Sequence, residues 1–180
     1  MQYYYVVSSL PSLYVDKKPE ISIERFLNLC NEQLKEHDRL IIESVSIYRE
    51  KATNSTLLSL SKWYEWETSL RYELAMLRAK NIGVEIRAPQ SNILRSSHIS
   101  KTAAAAFNEP SPLQAEAMLN KARWDYLDEL EKGHYFDITK LVIYYIRLLI
   151  LKRLSLFDAE KGKEIITHLI CTQDYKLYTV

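Results

Sequence analysis

The sequence predicts an all-α protein, a single-domain bundle of about six helices around one central apolar helix. Three observations carry that expectation. Glycine occurs three times in 180 residues, and tight β-hairpins and phosphate-cradling loops need the positive-φ positions that glycine supplies cheaply. Apolar residues recur at 3.6-residue spacing in several segments. One stretch, Leu141–Leu151, is apolar nearly all round, with Arg147 as its one charge; a helix of that kind must be surrounded by others.

Taken in order, residues 2–8 (Gln-Tyr-Tyr-Tyr-Val-Val-Ser) have the β-prone composition of a short extended segment. Pro11 and Pro19 punctuate a loop. Ser22 is an N-cap for a first helix to about Glu36, carrying Phe26, Leu27, Cys30 and Leu34. Asp38 caps a second, through Ile41, Val45 and Tyr48 to about Lys51. Asn54 or Ser55 opens a third that ends near Asn81, with Gly83 as its stop. From about 84 to 110 the pattern breaks. Arg87, Arg95 and Lys101 stand there without an acidic residue between Ile86 and Asn108. This interval reads as a long connection with one helical turn at Ala103–Ala106. Ser111-Pro112-Leu113-Gln114 combines an N-cap serine, proline at the first helical position and glutamine at N3. The helix it opens carries Ala115, Met118, Leu119, Ala122, Tyr126 and Leu130 and stops at Gly133. Asp137 caps the central helix, to about Phe157. A last helix runs from about Asp158 to Cys171, and the tail, Tyr175 to Val180, is placed to pair with the N-terminal strand in a minimal two-stranded sheet.

Composition narrows the function. With 24 Lys and Arg against 23 Asp and Glu the net charge is +1, too little for a protein held to nucleic acid by a phosphate-neutralising field. Neither GxGxxG nor GxxxxGK[ST] occurs, so no nucleotide cofactor is expected. Cys30 and Cys171 form no CxxC pair and read as reduced core thiols of a cytoplasmic protein. The N-terminus lacks the basic and apolar regions of a secretory signal. The 11-residue run Leu141–Leu151 is too short for a membrane span, which takes about 20 apolar residues.

Catalytic constellations are sparse. Glu131 and His134 make one Glu-x-x-His, straddling Gly133, while Glu164 and His168 share a helix face. These four are the material of an alternative reading as a helical metal-dependent enzyme, although a metal site needs several convergent, supported ligands. Neither cysteine nor any serine sits in an activating motif. No catalytic residue, cofactor or metal site is therefore assigned.

Contact surfaces are better represented. Trp63, Glu67, Arg71, Leu74 and Arg78 line one helix face, with Glu67 to Arg71 in the favourable i,i+4 order. A Trp/Arg stripe has the composition of a binding hot spot, and also that of a core edge with arginines reaching outward. Arg87 and Arg95, with His98 and Lys101, offer a basic dock for an acidic partner or form a solvated loop. Trp63, Arg71, Arg78, Arg87 and Arg95 are the partner-binding candidates. Arg147 instead needs an internal acid, because an unpaired buried guanidinium is costly; Glu67, Asp125 and Glu129 are all candidates for that structural ion pair.

Tyr3-Tyr4-Tyr5-Val6-Val7-Ser8-Ser9-Leu10-Pro11-Ser12-Leu13 resembles the opening of an uncharacterised bacterial family whose genes sit inside operons for V-type (archaeal-type) ATP synthase. Further resemblance lies in Trp63 with Leu70–Gly83, in Pro112 to Trp124 with Ala122-Arg123-Trp124, in Gly133-His134-Tyr135-Phe136-Asp137, and in Leu141–Arg153 followed by Phe157-Asp158. The resemblance implies a non-catalytic accessory or stalk subunit of the V-type ATPase, a counterpart of its all-helical C (d-type) subunit, which couples the central rotor to the membrane ring. It implies V-type ATPase subunits as partners and a cytoplasmic protein, peripheral at the inner membrane face through the complex. An assembly factor for that complex is the alternative within the same class.

Overall fold

The computed structural model describes residues 2–48, 57–85, 93–156 and 167. Among them are seven helices and no strand: α1 (Gln2–Ser9), α2 (Ile23–Gln33), α3 (Glu36–Glu43), α4 (Leu58–Ile82), α5 (Ser97–Asn108), α6 (Pro112–Glu131) and α7 (Ile138–Leu154). The protein is an all-α bundle, as its glycine content and periodicity predict.

Local chemistry sets four of the helix ends. The Ser22 hydroxyl accepts from the Arg25 N–H, the Ser111 hydroxyl from Gln114 and the Asp137 carboxylate from Lys140, each satisfying a donor that the first turn leaves without a partner. At the end of α4, Gly83 takes φ 73°, and the Gly83 and Val84 N–H groups return to the Lys80 and Ala79 carbonyls. The proposed openers Asn54 and Ser55, the helix expected from Asp158 to Cys171 and the tail from Tyr175 lie outside the described residues.

α7 is the central element. Eleven of its seventeen residues are buried, from Thr139 to Leu151, and it touches α1, α2, α3, α4 and α6. On one flank, Phe26 of α2 stacks on Tyr144 and Tyr145, both with ring centroids 5.5 Å apart. On the other, α4, α5 and α6 each pack on the other two. There Trp66 lies flat on Tyr126, 4.6 Å between centroids and 9° between planes.

Several expectations are corrected. Residues 2–9 form a helix, not a strand, because Tyr3, Val6, Val7 and Leu10 fall at i, i+3, i+4 and i+7 and turn one face onto the core, with Val6 fully buried. The Tyr3 hydroxyl anchors that face by donating to the Asp38 carboxylate, 2.6 Å away. No N-terminal strand therefore exists for the tail to pair with. Asp38 lies within α3 rather than capping it; Lys35 is the N-cap, and the helix ends at Glu43. The 84–110 interval contains a three-turn helix, α5, where one turn at 103–106 is expected. Ile99, Ala103 and Ala106 form its buried stripe, and α4 and α6 cover it. α7 ends at Leu154, short of Phe157.

Candidate functional site

Two segments more than a hundred residues apart meet at one end of the bundle. α1 presents Tyr4 and Tyr5 to solvent, 61% and 58% exposed, because the opposite face of that helix is spent on the core. The turn between α6 and α7 presents Tyr135 and Phe136, 72% and 49% exposed. The turn is tight because Gly133 takes φ 83°, a left-handed conformation that costs glycine little. It is then fixed by Asp137, whose Oδ1 caps α7 while Oδ2 lies 2.5 Å from His134 Nδ1. The result brings the Tyr4 and Phe136 rings to 4.8 Å between centroids, tilted by 44°. Large apolar side chains clustered in solvent, rather than scattered singly, are the composition of a contact surface.

One helical turn further along both elements the surface dips into a cleft of about 340 Å3. Val7, Leu10 and Leu13 supply apolar wall; Lys140, Tyr144, Arg147 and Ser12 supply polar groups. Tyr144 donates its hydroxyl to the Pro11 carbonyl at 2.9 Å, tying the loop after α1 to α7. Burial pushes the Tyr144 phenol well above its ordinary value, so it stays a neutral donor.

Behind the cleft the cations are held by α6. Arg147 Nη2 donates to Asp128 at 2.5 Å and Glu131 at 2.9 Å, and Lys140 Nζ reaches the other Glu131 oxygen at 2.5 Å. The Arg147 guanidinium also lies over the Trp124 ring, 5.3 Å from its centroid. Burial works against the Glu131 charge, but the hydrogen bonds from Lys140 and Arg147 outweigh it and hold the carboxyl below its ordinary value. The Arg147 Nε–H is shielded from water and has no acceptor among the described residues.

A second network lies deeper. Glu67 of α4 and Arg123 of α6, 2% and 3% exposed, form a bidentate pair with both N···O distances 3.0 Å. Arg123 Nη1 also reaches Asn120 and Glu116, and Arg153 closes the array onto Glu116 at 2.8 Å. Burial pushes the Glu67 carboxyl up, with Arg123 pulling the other way. The Arg123 charge is opposed by burial, yet Glu67 holds it above its ordinary value.

The sequence-derived candidates scatter. Trp63 is fully buried, donating Nε1–H to the Ile47 carbonyl, and stacks beside Trp66; it is core rather than partner surface. Arg71 and Arg78 are exposed, with Arg71 lying over the Tyr48 ring at 4.5 Å. Arg95 is exposed beside a separate depression shared with Trp66, His98 and Tyr126. Arg87 lies outside the described residues. Glu67 pairs across helices with Arg123 rather than forming its ion pair with Arg71. Arg147 does form a structural ion pair, but with Asp128 and Glu131 instead of Glu67, Asp125 or Glu129; Asp125 is occupied by Lys121 at 3.0 Å.

Of the metal candidates, Glu131 is engaged by two cations and His134 by Asp137, while Glu164 and His168 lie outside the described residues. Among the described residues no group of three or more His, Cys, Asp or Glu is placed to hold a metal ion, and no helix is long and apolar enough to cross a membrane. Cys30 is buried, and burial pushes its thiol up to about 12, which keeps it protonated and a poor nucleophile.

Tyr4, Tyr5, Tyr135 and Phe136 are not among the candidates that the Trp/Arg stripe and the basic interval select. Their signal is the 3/6/7/10 spacing in α1, which places Tyr4 and Tyr5 outside the buried face.

Residues 103–173 match the model of a family described as "Protein of unknown function (DUF2764)". The match covers α6, α7 and the second half of α5, and so includes the Tyr135-Phe136 turn and the cations of the cleft. No curated protein and no solved structure matches the chain.

Proposed function

We propose that this chain is a non-catalytic accessory or stalk subunit of a V-type ATP synthase/ATPase, acting by protein–protein contact in rotary proton or sodium transport. The observation that carries the contact role is the exposed Tyr4–Phe136 pair. It joins the Tyr-Tyr-Tyr segment to the Gly-His-Tyr-Phe-Asp segment, two of the stretches on which the resemblance to the operon family rests. The choice of complex comes from that resemblance. In this reading the surface at α1 and the α6–α7 turn faces central-stalk or membrane-ring subunits, and the chain sits at the cytoplasmic side of the membrane through the complex without spanning it. The ion pairs inside the bundle then serve rigidity, keeping a small surface in one shape.

The test is native mass spectrometry of the ATPase isolated from source membranes through a tag on this protein. A subunit rides in stoichiometric amount with the ring and central-stalk proteins of active complex. Recovery with incomplete subcomplexes alone identifies an assembly factor, and recovery of no ATPase subunit refutes the assignment.

A further inference from the structure

We infer that the cleft between α7 and the loop after α1 seats the C-terminal residue of the protein partner, an apolar residue whose free carboxylate meets Lys140 and Arg147. The inference rests on the contact role proposed above and names what the partner must present.

The lining decides the chemistry. Among the described residues its charged members are Lys140 and Arg147, and none of its lining is a carboxylate. Lysine carries three donors and arginine five. The contacts made to Glu131 and Asp128 use Lys140 Nζ once and Arg147 Nη2 twice. Those contacts leave two of the three Lys140 donors, and Ser12 lines the cleft with an exposed side chain. The polar half of the cleft thus offers cationic donors, a match for carboxylate oxygens. Val7, Leu10 and Leu13 form the other half, within a volume at the small end of ligand-binding clefts. An aspartate or glutamate side chain brings the charge but no apolar bulk for that wall. A chain-terminal apolar residue brings both on one α-carbon, and capture of a C-terminal carboxylate is a recurring mode of peptide recognition. The next residues of such a partner leave the cleft past Tyr4 and Phe136, one turn back on each element.

The probe is N-acetyl-L-leucine, compared with N-acetyl-L-leucinamide, titrated into the full chain and followed by amide chemical shifts. The acid shifts signals of residues 10–13 and 140–147 saturably. The amide binds at least about ten-fold more weakly, as does the acid to Lys140→Gln, because a charge-assisted hydrogen bond is lost. Ser12→Glu, an exposed change that puts a negative charge at the mouth, weakens the acid similarly without disturbing the fold. Equal binding of acid and amide, or no shifts in these two segments, overturns the inference.

A second arm separates a partner's terminus from a free carboxylic acid. Ser12→Glu chain should capture less ATPase from source membranes than wild type. Undiminished capture with intact probe binding assigns the cleft to a small acid and overturns the partner-terminus inference. Capture of no ATPase by wild type refutes the subunit role separately, whatever the probe does.

Discussion

The same Glu–Arg chemistry stands in two places and behaves in opposite ways. Between α4 and α6, Glu67 and Arg123 are sealed in the core, and burial prevails at the acid, whose carboxyl is pushed up. Between α6 and α7, Glu131 sits half-buried under Lys140 and Arg147, and pairing prevails, so its carboxyl is held down. Removing two charges from water costs more than their attraction returns unless the geometry is excellent. At the rim, water still solvates part of each group, so pairing is not offset by a full desolvation cost. The interior pair ties α4 to α6, while the rim network ties α6 to α7 beside the cleft.

The largest effect comes from breaking the interior pair. Glu67→Leu leaves Arg123 buried without its bidentate partner and should cost about 3–5 kcal/mol in urea unfolding. The double change Glu67→Leu with Arg123→Met removes both charges at similar volume and should recover most of that loss. Equal loss in single and double variants would show that the pair matters by shape rather than charge.

At the rim the effect is smaller and depends on pH. Glu131→Gln should cost about 1–2 kcal/mol near neutrality, the loss of charge-assisted hydrogen bonds on a partly buried group. Its folded value lies below the unfolded one, so the contribution is present above the ordinary value of 4.5 and is lost as the pH falls through the folded value. Stability of Glu131→Gln should accordingly fall less steeply than wild type on acidification below about pH 4.5. A variant curve parallel to wild type would remove Glu131 as the titrating group.

The turn itself comes next. A Cβ at Gly133 meets nothing within 4 Å, yet φ is 83°, so Gly133→Ala should cost about 1–2 kcal/mol through backbone strain alone. The smallest stability change is at the surface. Tyr4→Ser with Phe136→Ser removes one exposed ring contact and should cost under about 1.5 kcal/mol, although partner binding is proposed at this surface.

The sequence was most readable where local chemistry decides. Ser22, Ser111, Asp137 and Gly83 mark helix ends through their own side chains or backbone freedom, and the all-round apolar run identifies α7 as central. Composition misleads where tertiary packing overrides it. Tyr-Tyr-Tyr-Val-Val is β-prone by propensity, but the burial of Val6 against the core selects a helix. α5 was obscured by its polar opening, Ser-His-Ile-Ser-Lys-Thr, although Ile99, Ala103 and Ala106 already have helical spacing. The partners of Arg147 were out of reach for a different reason. Which acids of α6 face α7 depends on how the two helices are rotated against each other, and no local pattern records that rotation. The aromatic pair was hidden in the same way, since it exists only when α1 and the α6–α7 turn come together.

The most direct test of the contact role uses the surface pair. Tagged wild type and the Tyr4→Ser/Phe136→Ser variant are each used to capture V-type ATPase from source membranes, with circular dichroism confirming that both are folded. Wild type should bring down ATPase subunits in stoichiometric amount and the variant about ten-fold less or lower, as expected for hot-spot aromatics. Equal capture by the two proteins would contradict it.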